Sequence, residues 1–206
     1  MTDTDTNKKI ESYCEFLDKW PIKKMEKLNI EDYTNSNKNS FTYDIEFLMK
    51  YLGSFKGGSS FKFGIYNRKD SSYKENTRGK IYETDFAWFK KYGCTKDDAF
   101  NSVILAINNV IKYSQRNDLQ AIDKINLGKT YKWKIAFHYQ DKNNISIVPI
   151  FTYNALKLFL EKSNMYRAKM SMSDMYCAIK EKNSISTLDK AFNLSDEIWA
   201  DYIRNK

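Results

Sequence analysis

One histidine, three cysteines, two prolines and seven glycines are spread over 206 residues, and each shortage removes a class of protein. Cys14, Cys94 and Cys177 lie far apart with no Cys-x-x-Cys spacing, and His138 is the single histidine, so neither a zinc site nor a disulfide framework is expected. Reduced thiols of a cytoplasmic protein are the default reading. No apolar run approaches the roughly 20 residues that span a bilayer. Residues 1–9 are polar and lack the apolar core of a signal peptide, so no membrane partner is expected.

Catalytic chemistry is equally sparse. Gly128-Lys129-Thr130 imitates the end of a phosphate-binding loop, but position 123 is Asp123 where that loop requires glycine, and no buried strand precedes it. No lysine has an acidic residue two places before it, which excludes the PD-(D/E)xK nuclease signature. Glu83 with Asp85, and Asp97 with Asp98, lack the further partners a metal needs; the second pair suits the positive end of a helix it begins. His138 would share a strand face with Lys132, Lys134 and Gln140, where a surface role is the plainer reading than general-base catalysis. The expectation is a protein without catalysis or cofactor of its own.

What the chain does have is positive charge and aromatic rings. The net charge is +8, and between Lys56 and Lys91 nine basic residues face four acidic ones, so this window holds five of the eight. Lys56, Lys62, Arg68, Lys69, Lys74, Arg78, Lys80, Lys90 and Lys91 are interleaved there with Tyr66, Tyr73, Tyr82, Phe86, Trp88 and Phe89. Cations that hold phosphates beside rings that stack on bases make a nucleic-acid surface. Tyr66 and Trp88 are the candidates to enclose a modified base. A solvated basic face is the plainer alternative for the same run.

The window opens on residues 52–66, which contain four of the seven glycines: Gly53, Gly57, Gly58 and Gly64. Gly57-Gly58-Ser59-Ser60 reads as a turn, followed by a strand over 61–66 with Phe61, Phe63 and Ile65 inward and Lys62, Gly64 and Tyr66 outward.

These residues also carry a resemblance. Asn39-Ser40-Phe41-Thr42-Tyr43, Leu52-Gly53-Ser54, and the run from Gly57 to Tyr66 resemble the N-terminal region of McrB-like restriction proteins. So do Trp88-Phe89-Lys90-Lys91-Tyr92-Gly93, Trp133-Lys134-Ile135-Ala136-Phe137 with Tyr139-Gln140, and Val148-Pro149-Ile150-Phe151. Asp44 stands where an aromatic residue would be expected, and His138 where an aliphatic one would suit. The resemblance implies a domain of modification-dependent restriction that recognises double-stranded DNA, with a modified cytosine as the feature read. It also implies a AAA+ motor domain or subunit as partner. The motor's own phosphate-binding loop is missing from this chain, so nucleotide hydrolysis is not implied. A protein-interaction or regulatory module, sensing a phage protein or inhibiting a host one, is the alternative.

The periodicity predicts an α+β fold, with a mostly antiparallel sheet of two hairpins packed against several helices in a single domain over 1–206. A helical pair is expected over 8–28, after a polar tail at 1–7, and 34–39 is a polar loop. Residues 41–52 fit strand or helix, with helix favoured by Ser40 as cap and Gly53 as stop. The first hairpin pairs 61–66 with 80–84, and the second pairs the alternating run 131–140 with 145–151. Thr95 caps an amphipathic helix through Phe100, Val103, Ile104, Ile107, Val110 and Ile111, and a further helix covers 119–125. C-terminal helices fill 152–204, capped by Thr152, Ser173 and Ser195.

Overall fold

A computed structural model describes residues 3–55 and 58–205. It is an α+β protein in which helices dominate and the strands form one small antiparallel sheet. Helix α1 (Asp3–Lys19) begins earlier than the polar composition suggests, because Thr6 Oγ1 donates to Asn193 Oδ1 at 3.0 Å and Lys9 pairs with Asp196 at 2.6 Å. Both partners lie on the last helix, so the start of the chain is tied to its end. Pro21 then separates α1 from α2 (Ile22–Met25), and Asn29 caps α3 (Ile30–Tyr33) by accepting from Asp32 N at 2.8 Å.

Residues 41–52 are helical. Helix α4 (Phe41–Phe47) is capped by Ser40, which accepts from Tyr43 N, and continues as a 3-10 turn over Leu48–Tyr51. Gly53 ends it at φ +81°, where an added Cβ would lie 2.4 Å from Pro149 O. The two expected sheet hairpins are not what forms. Residues Ser60–Phe63 make a 3-10 turn, and β1 is only Ile65–Asn67. Strand β2 (Lys80–Tyr82) does not pair with β1; an unexpected third strand, β3 (Phe86–Phe89), lies between them in the order β1-β3-β2. The long excursion 68–79 makes this possible. It carries the chain to the far edge, and the short turn 83–85 brings it back through the middle.

The larger correction is at 131–140. This run is not a strand but helix α7 (Lys129–Tyr139), and 145–151 is an extended segment rather than its hairpin partner. Every residue from Tyr131 to Tyr139 is buried, so α7 is the central helix and has no solvent face to produce a 3.6-residue pattern. It packs against α5 (Lys96–Gln115), α1 and α6 (Leu119–Lys124). A helix satisfies its own backbone groups, which a lone strand in that position would leave unpaired.

The polar residues of α7 are absorbed by nearby carbonyls. Lys132 Nζ donates to Asp123 O at 2.6 Å, and Lys134 Nζ donates to Met49 O and Gly53 O, both at 2.7 Å. Burial pushes Lys134 down to about 7, with Glu46 opposing that shift and Lys62 adding to it. His138, expected on a surface, is fully buried. One ring nitrogen, Nδ1, lies 2.7 Å from Lys134 O, and the ring sits among Tyr13, Phe16 and Phe137. Buried tyrosines tie the surrounding segments in the same way: Tyr13 OH donates to His138 O, Tyr139 OH to Trp20 O and Tyr176 OH to Ile150 O. Asp44 is a core residue too, accepting from Trp20 Nε1 at 2.8 Å and pairing with Lys19 at 2.6 Å.

Gln140 replaces the expected second hairpin. Its Oε1 accepts from Ser146 N and Ile147 N, both at 2.9 Å, while Nε2 donates to Phe137 O and Ile147 O. One amide thus pins the extended segment to the end of α7. Helices α8 (Tyr153–Lys162), α9 (Met172–Asn183) and α10 (Leu188–Arg204) close the fold. Two of their caps differ from expectation. Ser171 caps α9 in a reciprocal pair with Asp174, and Thr187 caps α10, leaving Ser173 and Ser195 inside their helices. Thr152 precedes α8 without a side-chain cap bond.

Candidate nucleic-acid interface

The basic window does not form one surface. Register places Ile65, Trp88 and Ile81 side by side on the face of the sheet that meets α5, and Tyr66, Ala87 and Tyr82 on the other. Trp88 is therefore fully buried, with Nε1 donating to Gly93 O at 3.1 Å, and is a core residue rather than a base-enclosing ring. On the outer face Phe61 packs against Tyr66, Tyr82 and Phe89, with Lys80 4.8 Å over its ring.

Two of the predicted cations are structural. Arg68 is 9% exposed and donates to Glu83 O and Ser72 O, holding the excursion against the sheet. Lys62 pairs with Glu46 at 2.5 Å, donates to Phe55 O at 3.2 Å and lies over the Phe55 ring. An arginine or lysine held by carbonyls and carboxylate has little left for a phosphate. Lys69, Lys74, Arg78, Lys90 and Lys91 are exposed as expected. Of these, Lys74 lies 4.0 Å from Asp70, and Lys91 donates to Asn126 Oδ1 at 2.7 Å, its ammonium pushed below the usual lysine range by partial burial. Lys56 lies outside the described residues.

What the fold does bring together is a cleft of about 480 Å³ between α4, the loop 34–38 and the outer edge of β1. Tyr66 and Lys69 from the predicted set line it. The rest were not foreseen: Thr42, Tyr43, Glu46 and Phe47 from α4, and Thr34, Asn35, Ser36 and Lys38 from the loop. Helical spacing explains the α4 wall, since Thr42 and Glu46 are four residues apart, as are Tyr43 and Phe47. The Tyr43 and Phe47 rings lie 4.9 Å apart. Asn67 N donates to Thr34 Oγ1 at 3.2 Å, which fixes the loop to the edge of β1. Burial raises the Tyr66 phenol above its ordinary value, with Tyr82 adding and Arg68 opposing, so it stays a neutral donor and acceptor.

The cleft falls within the range of about 300–1,000 Å³ typical of small-ligand sites. Its lining combines rings, hydroxyls, one carboxylate and two exposed lysines, Lys38 and Lys69. The available signal was the density of hydroxyl and amide side chains from Thr34 to Thr42, which by itself indicated only a polar loop. Comparison with protein-family models, with curated proteins and with solved structures gives no match. Among the described residues no group of three or more His, Cys, Asp or Glu side chains is placed to hold a metal ion, and no helix is long and apolar enough to cross a membrane.

Proposed function

We propose that this chain is a DNA-recognition domain of a modification-dependent, McrB-like restriction system, acting in the cytoplasm without catalysis of its own. The observation that carries the reading is the cleft. Rings of Tyr43, Phe47 and Tyr66 can face a base, while the exposed Lys38 and Lys69 can meet the phosphates beside it. Lys74, Arg78 and Lys90 extend positive charge along the excursion and the end of the sheet, with net +8 on the whole chain. A modified cytosine is the base this reading assigns to the cleft, and a AAA+ motor the partner that would act on its signal.

The test is anisotropy binding to matched duplexes carrying cytosine or 5-methylcytosine at two salt concentrations. Replacing both Lys38 and Lys69 by Glu is expected to lower affinity and to reduce the salt slope by about 0.9 for each phosphate no longer neutralised. An unchanged slope, or no affinity for any duplex at low salt, would overturn the reading.

A second reading, a protein-docking module, is favoured by a different observation. Tyr51 is 65% exposed and Trp199 43%, and both line a separate cleft with Pro149 and Thr152. Co-purification of a partner that is lost in Tyr51→Ala with Trp199→Ala, but kept in the Lys38 and Lys69 variants, would favour it.

A further inference from the structure

Three of the four tryptophans, Trp20, Trp88 and Trp133, are buried, whereas Trp199 on α10 is 43% exposed. Tyr51 lines the cleft of about 180 Å³ that Trp199 borders, and it also lines a second cleft of about 520 Å³ along α1. The Lys9–Asp196 ion pair has one partner in each cleft, so the two meet where α1 and α10 pack together. Asp196, Trp199 and Ile203 lie three and four residues apart on one face of α10, and Ile203 is 59% exposed. A partner that covers Tyr51, Trp199 and Ile203 gains apolar burial that the fold leaves unused.

The charge of this face differs from that of the rest of the molecule. Helices α1 and α10 together carry nine acidic and five basic residues, net −4 in a chain of net +8, so the remainder is net +12. Asp5, Glu11 and Glu15 line the α1 cleft, exposed and without an ion pair among the described residues. Lys9 is engaged with Asp196, which leaves Lys8 and Lys50 as the cations beside the groove. Lys50 already lies 4.9 Å over the Tyr51 ring, so that ring accepts an ammonium on its face. DNA and an anionic lipid surface are both repelled by a face of negative sign, and a membrane-surface helix needs lysines where α10 has carboxylates. A cationic protein segment meets opposite charge beside rings that it can cover.

We infer that the groove between α1 and α10 is a docking surface for a cationic amphipathic helix of a protein partner, with a large apolar residue seated between Tyr51 and Trp199 and lysines or arginines on Asp5, Glu11 and Glu15. The inference rests on the protein-docking reading, adds the charge of the partner, and leaves the basic face clear for DNA. From Asp5 to Glu15 helix α1 runs about 15 Å, which matches the three turns of an incoming helix that anchors at i, i+3 or i+4, and i+7.

Trp199 supplies the readout, as the one exposed indole of the four. The probe is a helical peptide of about 15 residues with leucines at three- and four-residue spacing and lysines elsewhere, beside versions in which glutamine or glutamate replaces every lysine. In the whole chain, acrylamide quenching of tryptophan fluorescence should fall as the lysine peptide is added, with an affinity about tenfold above that for the glutamine peptide and further above that for the glutamate peptide. Raised salt should weaken this binding, and Glu11→Lys with Glu15→Lys, both at exposed positions, should weaken it about tenfold. Lys38→Glu with Lys69→Glu should leave it within about twofold of the native value. Protection of Trp199 by all three peptides alike, or chiefly by the glutamate peptide, would overturn the charge assigned to the partner and leave the docking reading standing. Quenching unchanged by every peptide would overturn both. Protection of Trp199 by duplex DNA, or by raising the concentration of the protein alone, would assign the groove to DNA or to a second copy of this chain and overturn the inference.

Discussion

Acidification from pH 7 to pH 5 tests the core chiefly at one ring, since buried Lys134, held down to about 7, completes its protonation in the folded chain at the top of this range. His138 is the only histidine in 206 residues, so no other side chain of ordinary pKa titrates near the middle of that range. In the fold its ring is fully buried, Nε2 has no hydrogen-bond partner among the described residues, and desolvation, with the Lys134 charge adding to it, pushes its pKa from 6.5 down to about 3. The unfolded chain takes up this proton near pH 6.5 and the folded chain only near 3. Between those values the unfolded state holds the extra proton, so stability is complete above 6.5 and falls as the pH falls. The expected loss between pH 7 and pH 5 is about 2 kcal/mol. For a chain of this length that corresponds to a melting temperature lower by about 4–8 °C.

Asp174 is held below the ordinary carboxylate range by bonds from Ser171 and Gln120, and Asp201 by its pairing with Lys162, so both charge changes lie below this window. The assay is thermal unfolding followed by circular dichroism at pH 7, 6 and 5, for the native sequence and for His138→Phe. Phenylalanine keeps the ring contacts with Tyr13 and Phe16 and cannot be protonated. The variant should lose most of the pH dependence. Equal slopes in the two proteins would refute the argument.

Two further variants probe the backbone around α7. Gln140→Leu removes four hydrogen bonds and leaves Ser146 N and Ile147 N without their acceptor, for an expected cost of about 2–4 kcal/mol in urea unfolding. A cost under about 0.5 kcal/mol would mean that the segment is held by apolar packing instead. Gly53→Ala meets φ +81° and a carbonyl at 2.4 Å, so it should lose about 2–3 kcal/mol or more, whereas Gly79→Ala, with open space around it, should lose far less. Equal effects at the two glycines would contradict the close packing of residue 53 on Pro149.

Several elements were legible because their causes are local. Ser40 and Thr95 cap the helices that follow them, Gly53 stops one, and Phe100 to Ile111 repeat at the helical spacing because α5 has one wet face and one dry face. The α+β class and the excess of positive charge between Lys56 and Lys91 were legible in the same way. Residues 131–140 were not, because alternation signals a strand only if one of the two sets faces water. In α7 both sets are buried: Lys132 donates to Asp123 O, Lys134 finds Met49 O and Gly53 O far along the chain, and the His138 ring is enclosed by the distant Tyr13 and Phe16.

The site divides along the same line. Composition identified the exposed lysines and Tyr66, but it does not distinguish a cation that is free for phosphate from one spent on Glu83 O or Glu46. Trp88 became a core residue once β3 settled between β1 and β2, an order that depends on the path of a twelve-residue excursion, 68–79. The cleft itself joins α4, a polar loop and a strand edge that no spacing rule connects. Charge, caps and amphipathic faces belong to short stretches of sequence and were determined there. Which polar groups lose their water is decided only when distant segments close over them, and that exchange of water for specific partners gave this protein its buried cations and its candidate site.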